Sequence, residues 1–101
     1  LIMANSVINN GTIIGNGTII NTSSVIEHDN IISDYCQISP STTLCGYVTI
    51  GKKCFIGSNS VVIPHIIINK NSIVGAGSVV IRNIDSNTLV VGNPSKFKKN
   101  I

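Results

Sequence analysis

Aromatic residues are scarce in this chain of 101 residues, which has two Tyr, two Phe and no Trp although 43% of it is hydrophobic. Globular cores usually draw on aromatic as well as aliphatic side chains. The apolar residues here are almost all Ile and Val, which are β-branched and favour strands. Asn, Ser, Thr and Gly, which form turns, fill most of the remainder. The composition therefore predicts one small domain built from many short strands and tight turns.

Charge and long apolar runs are also scarce. The chain has 7 basic and 4 acidic residues, a net charge of +3, and three of the basic residues lie in the last six positions, at Lys96, Lys98 and Lys99. The rest of the chain is nearly neutral, so we expect no nucleic-acid partner. No apolar run reaches membrane-spanning length and no signal-peptide pattern is visible, so we expect no membrane insertion.

The three cysteines, Cys36, Cys45 and Cys54, are spaced nine residues apart. This spacing is unlike a zinc motif or a redox Cys-x-x-Cys motif. An odd number of cysteines without a secretory signal favours reduced thiols and a cytoplasmic location. We therefore expect Cys36 and Cys54 to be buried free thiols.

What the sequence does have is a strict period of six. From Ile2 to Val80 every sixth residue is a branched aliphatic, fourteen positions out of fourteen, and the residue four positions later is mostly small. An α-helix has a period of 3.6 and cannot keep such residues on one face. Short strands can do so, because each hexad supplies one strand and one turn. The pattern ends after Val80, where residues 83–88 indicate a loop and residues 89–91 a last strand.

The period resembles the hexapeptide repeat of the left-handed parallel β-helix. In that fold three hexads complete one triangular coil, so each residue lies beside the residue 18 positions later. The left hand is implied by the resemblance, since the general preference of parallel crossovers is right-handed. We expect an all-β helix of between four and five coils over residues 1–85, followed by a loop, a last strand and a basic tail over residues 86–101.

Stacking at this spacing sorts the turns into three corners, each named here by its character. The small corner has uncharged turns that begin at Ala4, Thr22, Pro40, Ser58 and Ala76. The charged corner has turns that begin at Asn16, Asp34, Lys52 and Lys70. The His28 corner has turns that begin at Asn10, His28, Gly46, Pro64 and Arg82.

His28 and Asp29 stand out because the repeat gives no structural reason for them. A histidine exchanges protons near neutral pH, and a carboxylate on one ring nitrogen makes the other a better base. Stacking places Gly46 one coil above His28, where its N–H can face a developing oxyanion. A base and an oxyanion donor on one corner suit acyl transfer from a thioester. The alternative is that His28 is a polar turn residue hydrogen-bonded to its neighbours. His65 is expected to be a surface turn residue, and the alternative for it is a role near the cofactor.

Several segments resemble the NeuD/PglD family of sugar acetyltransferases. They are Asn21-Thr22-Ser23-Ser24-Val25-Ile26-Glu27-His28-Asp29, Ile38-Ser39-Pro40, Cys45-Gly46 and Ile50-Gly51. The resemblance covers nearly the whole chain and implies a hexapeptide-repeat acetyltransferase that uses acetyl-CoA to acetylate sialic acids or nucleotide-linked amino sugars. Many related enzymes carry their histidine on an extruded loop, which this chain lacks.

The resemblance also implies roles for individual residues. His28 would be the general base, Asp29 would replace an acidic residue that is often Glu, and Gly46 would offer its N–H to the thioester oxygen. Asn21 matches an asparagine near the family's active site, so it is expected to bind substrate. The acetyl-CoA contacts are expected at Gln37, Ser58 and Ala76. Gln37 stands where a histidine is common and cannot titrate, and the Ser of Asn21-Thr22-Ser23 stands where Gly is common.

The family is homotrimeric, with active sites between neighbouring prisms and a sugar-nucleotide-binding domain preceding the β-helix. The repeat is already running at Leu1, so we expect such an N-terminal part to be missing from this chain. The resemblance does not choose between N- and O-acetylation. Two alternatives remain: a non-catalytic β-helix scaffold, and a γ-type carbonic anhydrase on the same fold. The second needs three zinc-binding histidines, and the chain has two.

Overall fold

The computed structural model describes residues 1–101 and consists of strands and turns. It has no helix of the length and apolarity that crossing a membrane requires. Thirteen two-residue strands, β1 to β13, start every six residues, and two longer strands follow. The strands are β1 Val7–Ile8, β2 Ile13–Ile14, β3 Ile19–Ile20, β4 Val25–Ile26, β5 Ile31–Ile32, β6 Gln37–Ile38, β7 Thr43–Leu44, β8 Thr49–Ile50, β9 Phe55–Ile56, β10 Val61–Val62, β11 Ile67–Ile68, β12 Ile73–Val74, β13 Val79–Val80, β14 Thr88–Val91 and β15 Lys96–Asn100.

The strands stack into three sheets that form the sides of a triangular prism. The first sheet is β1-β4-β7-β10-β13, the second is β2-β5-β8-β11, and the third is β3-β6-β9-β12-β14-β15. Paired residues in β1 to β13 are 18 positions apart and parallel, as in Val7 with Val25. The fold is the left-handed parallel β-helix that the sequence predicted, with about five coils. The first sheet joins the small corner to the His28 corner, and the second joins the His28 corner to the charged corner.

The hexad aliphatics form the core of the prism. From Ile20 to Val80 each of them is 1% exposed or less, whereas Ile2 at the open lower end is 56% exposed. Each coil therefore buries the aliphatic side chains of the next, as expected for a stack of repeats. The aliphatic ladder fixes which residues face outward, and this register carries His28 to the surface.

The small inward residues form hydrogen bonds that link each coil to the next. The Ser24 hydroxyl donates to the Ser39 carbonyl at 2.9 Å, 15 residues further along the chain. The Cys36 and Cys54 thiols donate in the same way to the Gly51 and Asn69 carbonyls, each at 3.1 Å. Both thiols are buried and free, as predicted, and Cys45 is free and half-buried.

The C-terminal segment closes one end of the prism. Ile84 forms an isolated bridge with Ile68, and β14 continues the third sheet beside β12. Where the sequence indicated only a basic tail, the structure adds β15, which pairs antiparallel with β14. Two adjacent strands can pair here because Gly92 turns the chain back with a φ of +102°. The lysine side chains of this segment remain exposed.

Candidate active site

The His28 turn lies where the first sheet gives way to the second, between Ile26 at the end of β4 and Ile31 at the start of β5. Asp29 turns the chain there with a φ of 58°. Aspartate tolerates this left-handed conformation better than most residues. Residues with positive φ recur at the corners throughout the prism, so the conformation belongs to the fold and carries no functional signal of its own.

His28 points outward and is paired with Asp29. The Asp29 Oδ2 atom lies 3.1 Å from His28 Nδ1, and the two side chains are 54% and 45% exposed. The other flanking carboxylate, Glu27, instead accepts a hydrogen bond from the Asn9 side-chain amide at 2.7 Å. Of the two carboxylates beside the histidine, Asp29 therefore fixes the ring, which leaves His28 Nε2 free to exchange a proton.

Gly46 lies directly against the histidine ring. A Cβ atom at this glycine would be 3.4 Å from His28 Cε1 and 3.5 Å from His28 Nε2. The residue is buried, and its N–H donates no hydrogen bond within the chain. Several other turns also begin with a residue whose backbone N–H has no partner in the chain. What distinguishes Gly46 is its position next to the His28 ring. The structure thus brings together His28, Asp29 and Gly46.

The Asp29 carboxylate rests over another glycine. A Cβ atom built on Gly11, one coil below, would be 2.1 Å from Asp29 Oδ1. A side chain at position 11 would therefore displace the carboxylate. Gly11 was not singled out from the sequence, although it lies 18 residues before Asp29 and stacking alone would have found it.

Asn30 holds the turn that carries His28. It is fully buried, and its side-chain N–H donates to the Glu27 carbonyl at 2.5 Å. Its side-chain oxygen accepts the Val48 N–H at 2.9 Å. One amide therefore closes the His28 turn and links it to the turn of Gly46. An asparagine at this position is unusual within the repeat, because the other hexads mostly carry Ser, Thr or Cys there.

Two aromatic rings, those of Tyr47 and His65, lie above His28 on the same corner. The Tyr47 ring meets His28 edge-on, with centroids 5.2 Å apart and planes at 83°. Its second aromatic neighbour is His65, whose ring stacks face to face on Tyr47, with centroids 5.0 Å apart and planes at 5°. His65 is exposed, as expected of a surface turn residue, but it also stacks on a ring that touches His28. Tyr47 directly follows Gly46 in the turn, and it was not singled out from the sequence.

The other predicted site residues lie elsewhere on the prism. Gln37 is in β6 of the third sheet, between Ile19 and Phe55. Asn21 follows β3 of that sheet, and its side-chain oxygen accepts the Thr22 N–H at 3.1 Å. The small corner carries the remaining two predicted residues, Ser58 and Ala76. Within one chain the first sheet separates this second group from His28.

The chain has no cluster of three or more side chains suited to a metal ion. Both histidines lie beside Tyr47 and no third exists, so a three-histidine zinc site has no basis within one chain. One pocket, of about 390 Å³, lies at the C-terminal end between the last loop and β15, where Arg82, Lys96 and Phe97 line it. It is about three coils beyond His28 and does not include the histidine.

Comparison with known proteins shows which families and structures the chain is similar to. The model of the bacterial transferase hexapeptide family, with six repeats, matches residues 47–82. No protein of curated function matches the chain. Among solved structures, a perosamine N-acetyltransferase mutant from Caulobacter crescentus, in complex with CoA and GDP-perosamine, is 34% identical with a TM-score of 0.94. The match covers 98% of this chain and 50% of that protein.

Two further structures are similar. The acetyltransferase domain of PglB from Neisseria gonorrhoeae, in complex with acetyl coenzyme A, is 30% identical with a TM-score of 0.93, over 96% of this chain and 47% of that one. A UDP-N-acetylglucosamine O-acyltransferase from Moraxella catarrhalis is 27% identical with a TM-score of 0.87, over 88% and 35%. The chain spans about half the length, or less, of these structures.

Proposed function

We propose that this chain, a hexapeptide-repeat β-helix that matches the NeuD/PglD-like acetyltransferases, transfers an acetyl group from acetyl-CoA to the amine of a nucleotide-linked amino sugar. The observation that carries the proposal is the His28 corner, where a carboxylate-paired imidazole lies next to Gly46. The similar structures support the choice of substrates, because they contain CoA with GDP-perosamine, or acetyl coenzyme A.

In this proposal His28 is the general base. Its Nε2 takes the proton from the acceptor amine as the amine attacks the thioester carbonyl, and later returns that proton to the departing thiolate of CoA. Asp29, on Nδ1, holds the tautomer in which Nε2 is unprotonated and stabilises the imidazolium that forms. A positioned base of this kind typically contributes a rate factor of about 10²–10⁴.

Gly46 supplies the second element of the reaction. As the amine attacks, negative charge develops on the thioester oxygen, and a fixed N–H near that oxygen stabilises it. The Gly46 N–H is suited to this role because it has no partner in the chain, and the residue that carries it lies next to the His28 ring. Loss of one such donor typically lowers kcat by about 10²–10³-fold. No side chain could serve at position 46 without entering the space next to the imidazole.

Acetyl-CoA fits the small corner. The backbone N–H groups of Ser58 and Ala76 donate no hydrogen bond within the chain, and the side chains there are too small to cover them. The Ser39 hydroxyl, in the adjoining turn of this corner, is buried and also has no partner. Unpaired donors of this kind match the amide carbonyls of the pantetheine arm. Gln37, half-buried on the third sheet, offers a further amide.

The separation of these two groups supports an oligomer. Because the first sheet lies between the His28 corner and the small corner, one chain does not place acetyl-CoA contacts beside its own base. A second copy whose small corner faces the His28 corner would complete the site. We therefore propose a homotrimer with three shared active sites, in which the charged corners face solvent. Such closed cyclic symmetry is common among homo-oligomers.

The acceptor is proposed as an amine because the C. crescentus structure is an N-acetyltransferase complex with GDP-perosamine. Asn21 is proposed to contact the acceptor through its side-chain amide. A domain N-terminal to the β-helix would bind the nucleotide, and O-acetylation of a sialic acid is the competing acceptor chemistry.

The test is CoA release measured with the full-length protein and a panel of GDP-, UDP- and dTDP-linked amino sugars and sialic acids. We expect turnover with at least one nucleotide-linked amino sugar. His28→Ala should lower kcat by about 10²–10⁴-fold with little change in the KM for acetyl-CoA, since it removes only the base. Circular dichroism and thermal unfolding should show an unchanged fold.

Two results would contradict the proposal. Turnover unaffected by His28→Ala in a folded protein would favour the scaffold alternative. Turnover with sialic acids and not with amino sugars would support an acetyltransferase but show that the proposed acceptor is wrong.

A further inference from the structure

The imidazole of His28 has a single hydrogen-bond partner within the chain, Asp29. Its side chain is 54% exposed, and the Asp29 contact at 3.1 Å fixes one ring atom. A single exposed contact of this kind leaves the ring free to swing, because solvent competes for both partners. A base that must present Nε2 to an acceptor needs a second restraint.

Tyr47 is placed to supply that restraint. It lies 18 residues after Asp29, and its N–H donates to the His28 carbonyl at 3.2 Å, which fixes its backbone to the coil of the histidine. Side chains at this turn position cover the coil below, as the Tyr35 ring covers Gly17 and the Asp29 carboxylate covers Gly11. The Tyr47 ring accordingly meets the His28 ring at 5.2 Å and 83°, a favourable edge-to-face arrangement.

Tyr47 is itself held by the next coil. The His65 N–H donates to the Gly46 carbonyl at 3.2 Å, and the His65 ring stacks on Tyr47 at 5.0 Å and 5°. The three rings therefore form a column that rises from the proposed base through two coils. Tyr35, at the corresponding turn of the charged corner, takes part in no aromatic pair, so the column is not a general property of this turn position.

We infer that Tyr47 is a positioning residue for the reaction, which rests on the proposed function. Its ring, held by His65, confines the His28 imidazole to the orientation in which Nδ1 meets Asp29 and Nε2 lies against Gly46. Tyr47 acts through the histidine and needs no contact with substrate. The phenol hydroxyl plays no part, because the contact is made by the ring.

The test uses replacements that already occur at this turn position in the chain. Asn59 and Asn71 have φ of 59°, close to the 52° of Tyr47, so Tyr47→Asn and His65→Asn keep the backbone conformation. Tyr47→Phe keeps the ring, and Tyr35→Asn is the matched control on the charged corner. The variants are made in the full-length protein with ¹³C-labelled histidine, and the His28 signal is assigned from His28→Ala.

We expect Tyr47→Asn to remove the ring-current shift of the His28 Cε1–H signal and to lower kcat by about three- to tenfold, with the KM for acetyl-CoA unchanged. Tyr47→Phe should preserve the signal and keep kcat within about twofold. His65→Asn should shift the signal in the same direction by a smaller amount, because it releases Tyr47 without removing it. Tyr35→Asn should change neither the His28 signal nor kcat.

Three results would overturn the inference. They are an unchanged His28 signal in Tyr47→Asn, a changed signal with wild-type kcat, and an equal loss of kcat in Tyr35→Asn. Failure of the proposed function looks different, because His28→Ala would then retain turnover. If only the positioning role fails, His28→Ala is inactive while Tyr47→Asn is as active as the wild type.

Discussion

At the scale of single residues, the site depends on glycines as much as on titratable groups. The exposed His28–Asp29 pair contributes only about 0–1 kcal/mol to stability, so its value to the protein is orientation. To orient the imidazole, the Asp29 carboxylate needs space. Gly11 provides this space, because the Asp29 Oδ1 atom lies where a side chain at position 11 would be. A substitution 17 residues from the base is therefore expected to affect catalysis.

Gly11→Ala tests this dependence. The new Cβ atom would meet Asp29 Oδ1 at 2.1 Å, and the φ of +78° would also be strained for alanine. We expect the carboxylate to leave His28 Nδ1 and kcat to fall about tenfold or more, together with a loss of stability of about 1–2 kcal/mol. Steady-state kinetics and thermal unfolding measure the two effects.

Gly17→Ala is the matched control, because Gly17 has a φ of +68° and its new Cβ would meet the Tyr35 ring at 2.6 Å on the charged corner. It should lose similar stability and keep its activity. Equal kinetic losses in both variants would mean that Gly11 matters only to the fold.

Some residues of the site could be predicted and others could not. His28 and Asp29 were found because a repeat of aliphatic and small residues leaves a histidine and a carboxylate unexplained, and Gly46 was found by adding 18. The choice of Asp29 over Glu27 as the partner depends on Asn9, whose amide engages Glu27. The contacts of Asn30 and Tyr47 depend on side-chain directions that spacing does not determine, so they emerged only from the structure.

At the scale of the structural elements, strands of two residues are too short to be stable alone. Backbone hydrogen bonds and the aliphatic core join each coil to the next, and side-chain hydrogen bonds at the small inward position add to them. The same geometry is made by hydroxyls and thiols, since Ser60 donates to the Gly75 carbonyl at 3.0 Å as Cys54 does to Asn69 at 3.1 Å. The sequence predicted small residues at this position from the period, and the structure shows that they are also hydrogen-bond donors.

Cys54 gives these side-chain hydrogen bonds a pH dependence. Burial, the largest cause, raises the pKa of the Cys54 thiol from 9.0 to about 11. A thiol whose pKa is raised by folding stabilises the protein fully below its unfolded value, and this contribution disappears as the pH rises through the folded value. We expect the thermal stability of the wild type to fall between about pH 9 and pH 11.

Cys54→Ser removes this titration and keeps a donor to the Asn69 carbonyl. Its stability should decline less steeply over the same pH range, measured by thermal unfolding at constant ionic strength. Lysine and tyrosine titrations are common to both proteins and cancel in the difference. Parallel declines would show that the Cys54 thiol does not control alkaline stability.

At the scale of the whole molecule, the period of six predicted the strands and coils of the β-helix, and the family resemblance supplied its left hand. A strand must start every six residues, and a coil must close every 18, for one aliphatic per hexad to stay inside. The C-terminal hairpin could not be predicted in this way, because residues 96–100 lie beyond the repeat and form β15 by pairing with β14. The period also does not reveal how prisms associate, although it shows that the two halves of the proposed site lie on different corners.

The proposed sharing of active sites between copies can be tested by complementation. His28→Ala removes the proposed base from one corner. Ser58→Pro removes the unpartnered amide from the other, and proline fits there because Pro40 begins the turn directly below it. Lys52→Pro is the matched control, since Lys52 begins a turn on the charged corner. Each of the first two variants should be nearly inactive alone, and Lys52→Pro should be active.

Mixed oligomers, co-expressed or refolded from equal amounts of His28→Ala and Ser58→Pro chains, should regain about a quarter of wild-type activity. A shared site works only when the chain that provides His28 is the Ser58→Pro chain and the chain that provides the small corner is the His28→Ala chain, and each condition is met half the time. Light scattering should show a trimer in every sample. If each site lies within one chain, no mixed oligomer contains an intact site, and activity should stay at the level of the separate variants.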